Sequence, residues 1–128
     1  SKGINVLSYF KREIPTYCFY GLKNVGPVID LTHLKNLEIS SYAFTTCDGI
    51  KSVHFPEGVL IGEAAFGGCD NLTEVVFHGL PYGVDDDVFV LTNLKKVIIY
   101  GTTEEEFLNK VEFDSLKDLF GPARVIFK

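Results

Sequence analysis

The sequence has few cysteines and no long run of apolar residues. Its three cysteines, Cys18, Cys47 and Cys69, include no CxxC pair, so the spacing of a zinc site or a thioredoxin-like redox motif is missing. No apolar stretch approaches the roughly 20 residues of a membrane-spanning helix. The first residues, Ser1-Lys2-Gly3, are followed by no signal-peptide core. We therefore expect no membrane insertion and no targeting segment within this chain.

Basic charge and catalytic motifs are also scarce. The 12 Lys and Arg residues are outnumbered by 17 Asp and Glu, which leaves a net charge of -5, whereas a nucleic-acid binder needs a basic face. The chain contains no GxSxG elbow, no GxxxxGK loop and no GxGxxG loop. No nucleophile is placed beside a base and an orienting group. These absences predict a chain that is not an enzyme, carries no cofactor and does not bind nucleic acid.

What the sequence does contain is a segment that repeats itself. Residues 39–55 and 61–77 share their apolar positions at an interval of 22 residues. A period in the twenties is typical of a leucine-rich-repeat solenoid, in which each coil must stack on its neighbours to bury its apolar face. The matched pairs are Ile39 and Ile61, Ala43 and Ala65, Phe44 and Phe66, Cys47 and Cys69, Ile50 and Leu72, Val53 and Val75, and Phe55 and Phe77.

The repeat extends in both directions. Upstream, Phe19 takes the phenylalanine position, with Cys18 in the alanine position. Downstream, Phe89 takes the same position, and we place Leu91 in the buried cysteine position. The chain is thus predicted to be a single domain, 1–128, with repeats at about 4–31, 32–55, 56–77 and 78–100. A partial strand is predicted at Gly3 to Phe10.

After residue 100 the pattern changes from solenoid to cap. Thr103 precedes three glutamates and the apolar residues Phe107 and Leu108, which predicts a capped amphipathic helix. A second helical turn over 114–120 and a strand over 123–127 follow. Because an open solenoid end exposes its core and its unpaired strand edge, we expect residues 101–128 to cover it.

Within one coil, alternation predicts that Val75 and Phe77 point into the core. Phe44, Phe66 and Phe89 are expected to stack as an aromatic spine along the solenoid axis. Cys47 and Cys69 occupy one position in successive coils, so we expect buried free thiols about one strand spacing apart.

The repeated Ile-x-x-x-Ala-Phe-x-x-Cys-x-x-Leu-x-x-Val-x-Phe pattern, with the acidic helix start near Phe107, resembles the BspA-like leucine-rich repeats. The resemblance implies a leucine-rich-repeat solenoid that is curved and has mostly short parallel strands; this sequence departs from the family in its low number of coils, about four, followed by the helix and strand cap. It also implies a bacterial cell-surface or secreted protein that works in adhesion or protein binding through its concave sheet face. No catalytic residue defines that family, so none is transferred.

If Val75 and Phe77 point inward, the intervening residues form columns on the outer face of the sheet. The central column is predicted as Asp30, His54, Val76, Ile98 and Ile126, flanked by Ser52, Glu74 and Lys96 and by Pro56, His78 and Tyr100. An exposed apolar patch with a polar rim favours protein binding, although β-branched residues also simply suit parallel strands. The predicted partner-binding residues are His54, Glu74, Val76, His78, Lys96, Ile98 and Tyr100.

Three alternatives remain open from the sequence. His54 and His78 could share an ion or a glycan with Glu74 or Asp30, although two histidines are a weak metal signal. The run 85–87 could be a calcium loop, but it lacks the alternating ligands and the terminal glutamate of a known loop, so a solvated turn is favoured. The chain could also be a structural spacer or assembly segment of a larger surface protein; the isolated domain is expected to be a monomer.

Overall fold

A computed structural model describes residues 12–128, and these form a solenoid of about four coils closed by a cap. Each coil contributes one strand to each of two sheets. The strands are β1 (Arg12–Ile14), β2 (Val28–Asp30), β3 (Leu37–Ile39), β4 (Ser52–Pro56), β5 (Leu60–Ile61), β6 (Glu74–His78), β7 (Gly83–Val84) and β8 (Lys96–Ile99). The cap consists of α1 (Glu104–Val111), α2 (Leu116–Phe120) and β9 (Arg124–Phe127). The predicted strand at Gly3 to Phe10 lies outside the described residues.

Both sheets are parallel, and their strand order follows the coils. One sheet has the order β1-β3-β5-β7, and the larger one has the order β2-β4-β6-β8-β9. The larger sheet and the predicted parallel arrangement are confirmed. The smaller sheet was not predicted, because strands of two or three residues are too short to show an alternating pattern in the sequence.

The predicted aromatic spine is confirmed. The ring centroids of Phe44 and Phe66 lie 4.9 Å apart and those of Phe66 and Phe89 lie 6.2 Å apart, all stacked. Phe19 extends the spine at 5.0 Å from Phe44. Phe55 meets Phe66 edge to face at 5.6 Å, so the larger sheet packs directly on the spine.

Two positions in every coil adopt a left-handed backbone, and the sequence pattern did not predict them. The residue before the alanine position has φ between 53° and 62°, and the second residue after the spine phenylalanine has φ between 59° and 72°. The first set is Tyr17, Tyr42, Ala64 and Asp87; the second is Gly21, Thr46, Gly68 and Leu91. Between them, every spine residue except Phe89 in the last coil donates its N–H to a carbonyl of the next coil, as Phe44 does to Ala65 at 2.8 Å. The two left-handed residues let this short segment of each coil turn sharply while its N–H groups still point along the solenoid axis.

The placement of Leu91 in the buried cysteine position is wrong. Leu91 is 77% exposed and shares the left-handed position of Gly68, whose N–H bonds the adjacent Val90 carbonyl at 2.8 Å. Thr92 stands where the two central coils have cysteine, and its hydroxyl donates to the Phe89 carbonyl at 2.8 Å. Compared with the preceding coil, this coil has one residue fewer between the cysteine position and the next buried leucine, since Thr92 and Leu94 are two positions apart where Cys69 and Leu72 are three. A polar residue fits there because it bonds its own coil's backbone.

Gly49 stands at a point of close backbone approach between the first two coils. A Cβ at this position would come within 2.5 Å of the Lys23 carbonyl oxygen and 2.6 Å of the Val25 carbonyl oxygen. Only glycine allows the first two coils to approach this closely.

The predicted cap is confirmed in all three parts. The Thr103 hydroxyl accepts the N–H of Glu106 at 3.2 Å and begins α1, and β9 pairs in parallel with β8. Phe107 of α1 and Phe120 of α2 are buried against the last coil, with Phe120 5.8 Å from Phe89. The cap thus continues the aromatic core and pairs the strand edge of β8.

Candidate functional site

The strand register confirms the columns expected on the outer face of the larger sheet. Asp30 lies opposite His54, His54 opposite Val76, Val76 opposite Ile98, and Ile98 opposite Ile126. We call the seven residues predicted from the sequence to bind a partner the outer-face strip. Its members are His54, Glu74, Val76, His78, Lys96, Ile98 and Tyr100.

Three rings of the outer-face strip stack across three neighbouring strands. The ring centroids of His54 and His78 lie 5.1 Å apart, and those of His78 and Tyr100 lie 5.4 Å apart, with interplanar angles of 26° and 21°. The Nδ1 atom of His54 and the Nε2 atom of His78 are 2.9 Å apart, a hydrogen-bonding distance. The stack follows the strand spacing because each ring is carried by a successive coil.

The two aliphatic residues of the outer-face strip are covered, which corrects the expected exposed apolar patch. Val76 is 4% exposed and Ile98 is 9% exposed, yet neither belongs to the core cluster. Their cover therefore comes from neighbours on the outer face, where the ring stack runs beside them. The exposed part of the outer-face strip therefore includes the rings of His78 and Tyr100 and the side chain of Lys96, while Val76 and Ile98 are covered.

The flanking column of the outer-face strip places one acidic residue beside two basic ones. Glu74 lies opposite Lys96 in the register, and Lys96 lies opposite Arg124 of the cap. Asp30 begins the central column, and its carboxylate accepts both the hydroxyl and the N–H of Thr32, at 2.6 and 3.0 Å. Those hydrogen bonds, helped by His54 and His33, lower the pKa of Asp30. The carboxylates of Asp30 on β2 and Glu74 on β6 therefore lie on the same sheet face as the two imidazoles, on the same or neighbouring strands.

Two of the three cysteines, Cys47 and Cys69, have a structural place in the core. Cys47 and Cys69 are buried in the predicted ladder, and each thiol donates to a carbonyl of the preceding coil, that of Phe19 at 2.9 Å and that of Phe44 at 3.1 Å. Burial raises the pKa of Cys47, and it raises that of Cys69 to about 12. Both thiols remain protonated at neutral pH, so they are structural.

The metal alternatives find no support in geometry. Across residues 12–128, no group of three or more His, Cys, Asp or Glu side chains is arranged to hold an ion. All three aspartates of the 85–87 run are exposed, and the Asp85 carboxylate accepts the N–H of Asp86 at 2.7 Å. This run is a solvated turn, with Asp87 in the left-handed position.

Two clefts that the sequence did not indicate adjoin the solenoid. One, of about 590 Å³, lies where the chain leaves the carboxyl ends of β2, β4 and β6, and it is lined by Lys35, Glu57, His78, Tyr82 and Lys110 among others. The other, of about 640 Å³, lies between the last coil and the cap. The first was missed because its walls are loops from different coils, and only folding brings them together.

The chain belongs to the BspA type leucine-rich repeat family. The sequence profile of the BspA type leucine-rich repeat region matches residues 6–117 in six copies, which is most of the chain. Neither the search of curated proteins nor the search of solved structures found a match. Such a solenoid is typically a non-enzymatic scaffold, and the family is one of protein-interaction or surface-associated repeats. No helix within residues 12–128 has the length and apolar character needed to cross a bilayer.

Proposed function

We propose that this domain is a non-enzymatic module that binds a protein or a surface ligand through the outer-face strip. The observation that carries the proposal is the ring stack of His54, His78 and Tyr100, which lies on the same sheet face as the covered residues Val76 and Ile98. An aromatic centre with a charged rim is the composition of many protein-binding surfaces. Family membership supports the same class of role.

The cell surface is the compartment that fits this proposal, and adhesion is the role. Family members are usually surface-associated, and adhesion needs a rigid ligand-facing surface without a catalytic centre. A parallel sheet held by a continuous aromatic core provides that rigidity.

The test is a triple variant that changes only exposed residues of the outer-face strip. His78→Glu, Lys96→Glu and Tyr100→Glu together leave the core intact because all three side chains are exposed. Purified domain is screened on an array of extracellular proteins, and the affinity of each hit is measured by surface plasmon resonance. We expect the triple variant to lose at least about tenfold in affinity, as charge reversal in an aromatic binding centre does.

A matched control exists in the first coils. Tyr20→Glu, Lys23→Glu and His33→Glu replace the same three residue types, all exposed and away from the strip, with the same change in charge. Thermal melts of both variants establish that they are folded. Unchanged affinity in the strip variant with loss in the control would overturn the proposal.

A structural spacer is the second candidate, and one observation favours it. Among the described strands, β1 and β2 end their sheets at the first coil, and Val28 of β2 is 58% exposed. An unpaired parallel edge can extend a solenoid by one more coil of a neighbouring chain or domain. Light scattering of the wild type and of a Val28→Lys variant tests this alternative. Self-association that the variant abolishes would favour the spacer role, and a monomer at all concentrations would count against it.

A further inference from the structure

The coils are joined along the aromatic spine by a ladder of main-chain hydrogen bonds. In each coil the ladder runs through a five-residue wall, which begins and ends with the two left-handed residues and has the spine phenylalanine at its centre. In the second and third coils, three N–H groups of the wall donate to three carbonyl groups of the next wall. Between the third and fourth coils these bonds run from Ala64 to Asp86, from Phe66 to Val88 and from Gly68 to Val90, at 3.2, 3.0 and 2.8 Å.

The wall of the last coil has the same three donors and no further coil to accept them. They are the N–H groups of Asp87, Phe89 and Leu91, which we call the donor row. Asp87 and Leu91 repeat the left-handed backbone of the preceding coils, with φ of 60° and 59°, so the donor row points away from those coils and toward the cap. None of its N–H groups makes a hydrogen bond within residues 12–128. Because backbone donors in folded proteins are almost always paired, the donor row is suited to take acceptors from a ligand.

The cap closes the core beside the donor row but does not continue the ladder. Phe120 of α2 lies 5.8 Å from Phe89, within the range of 4.9 to 6.2 Å between spine rings, so it takes the next position of the spine. Among residues 101–128, however, no carbonyl accepts the donor row. The cleft of about 640 Å³ lies there instead, lined by the donor row on one side and by α2 on the other. We call it the cap cleft, and its volume is in the usual range for ligand sites.

The charges and the shape of the cap cleft select among possible acceptors. Its lining carries two carboxylates, Asp87 and Asp118, and two ammonium groups, Lys95 and Lys117. A free anion therefore gains no net attraction, whereas the neutral carbonyls of a peptide pay little for entering. Donors at alternate residues also match the alternate carbonyls of one extended segment, which is what each preceding wall receives. Since Phe120 fills the next place in the spine, the segment must have small side chains on that side.

We propose that the cap cleft binds an extended, uncharged peptide segment of a partner protein, whose alternate carbonyl groups accept the donor row. Addition of an extended segment to an open main-chain edge is a recurring mode of peptide recognition, in which the backbone provides the affinity. The cap cleft shares no residue with the outer-face strip, so this is a second binding site beyond the proposed function.

The state of the donor row is measured first, by NMR hydrogen exchange of the isolated domain. The N–H groups of Ala64, Phe66 and Gly68 are matched references, because they hold the same three positions one coil earlier and are paired. We expect the donor row to exchange at least about tenfold faster than these references after correction for local sequence. Equal protection of both sets would show that the donor row already has acceptors and would overturn the proposal.

Binding is then measured with the blocked peptide acetyl-Thr-Ala-Thr-Ala-Thr-amide, which is uncharged and has small side chains. At a peptide concentration ten times the Kd obtained from amide shifts, exchange of the donor row should slow about tenfold, because only the unbound fraction exchanges. Inorganic phosphate is titrated in parallel. Slowing by phosphate and not by the peptide would assign the donor row to an anion, and no slowing by either would leave it to solvent; both results would overturn the proposal.

A pair of variants locates the bound peptide. Lys117→Trp places a large ring at an exposed position in the lining of the cap cleft and should abolish the slowing. Lys51→Trp makes the same change at an exposed position before β4, outside that lining, and should bind the peptide as the wild type does. Retained binding in Lys117→Trp, or equal loss in both variants, would overturn the assignment to the cap cleft. These measurements use no residue of the outer-face strip, so their failure and that of the array experiment are independent.

Discussion

The thiol of Cys69 donates a hydrogen bond to the backbone carbonyl of Phe44 in the preceding coil, across 3.1 Å. Cys47 makes the same bond to Phe19 one coil earlier, at 2.9 Å. The repeated cysteine therefore ties each of the two central coils to the coil before it through a main-chain acceptor. Thr92 takes the same position in the last coil, but its hydroxyl bonds the Phe89 carbonyl of its own coil.

Thiol reactivity should follow burial. Because the thiolate is the reactive form and the pKa of Cys69 is raised to about 12, Cys69 stays protonated and covered at pH 8. We expect a disulfide reagent such as DTNB to modify one thiol of the folded protein quickly, that of the exposed Cys18, and all three after unfolding in guanidinium. The variant Cys18→Ser should lose the fast phase. Fast modification of two or three thiols in the native protein would contradict this arrangement.

The aromatic spine should dominate stability. Phe66 is fully buried between Phe44 and Phe89 and meets Phe55 edge to face, so Phe66→Ala leaves a cavity in the centre of the solenoid. We expect a loss of about 3–5 kcal/mol in the free energy of unfolding, measured by urea denaturation. Phe66→Leu should cost clearly less because it fills most of the space. The exposed control Val90→Ala should change stability by less than about 0.5 kcal/mol, and an equal loss in all three variants would refute the spine's role.

The repeat could be predicted because a buried position must be apolar in every coil. Phe44 and Phe66, or Val75 and Val53, recur at one interval since the same wall of the core needs them. The columns of the outer face follow from that register and the alternation of strands, so their membership was predictable as well. Leu91 was misplaced because it is an apolar residue next to the position where a buried residue was expected. The shift by one residue that puts Thr92 there is visible only in the backbone geometry of the coil.

Side-chain arrangement on the outer face could not be predicted in the same way. The sequence shows that His54 and His78 lie on neighbouring strands, but the 2.9 Å bond depends on the rotamer that each ring adopts. Periodicity also carries no information on the left-handed positions, since Tyr17, Ala64 and Leu91 are not residues that favour them.

Leu91 should be a site of easy stabilisation. A left-handed backbone costs a residue with a Cβ roughly 1–2 kcal/mol, and glycine avoids that strain while losing roughly 0.5–1 kcal/mol of chain entropy on folding. Because the Leu91 side chain is almost fully exposed, its removal sacrifices little packing. We expect Leu91→Gly to raise the free energy of unfolding by about 0.5–1 kcal/mol. The neighbouring Val90→Gly, which has no positive φ to relieve, should lower it; a loss in both variants would show that Leu91 is not strained.

Glu38 should make the stability of the smaller sheet depend on pH. Burial, and then the charge of Glu13 directly opposite in the register, raise the pKa of Glu38 above 4.5. The folded state therefore binds this proton more tightly than the unfolded state does. The resulting contribution to stability is present at low pH and is lost as the pH rises through the raised pKa.

The variant Glu38→Gln removes the charge at every pH and so tests this sign. At pH 7 its melting temperature should exceed that of the wild type by about 1–3 °C, because cross-strand pairs of this kind are worth roughly 0.2–1 kcal/mol. Below about pH 4 the difference should disappear, since the wild-type Glu38 is then neutral as well. Glu57→Gln, at an exposed carboxylate outside the strand pairs, is the matched control and should show no difference at either pH. A Glu38→Gln variant that is less stable at pH 7 would mean that the ionised carboxylate supports the sheet instead of opposing it.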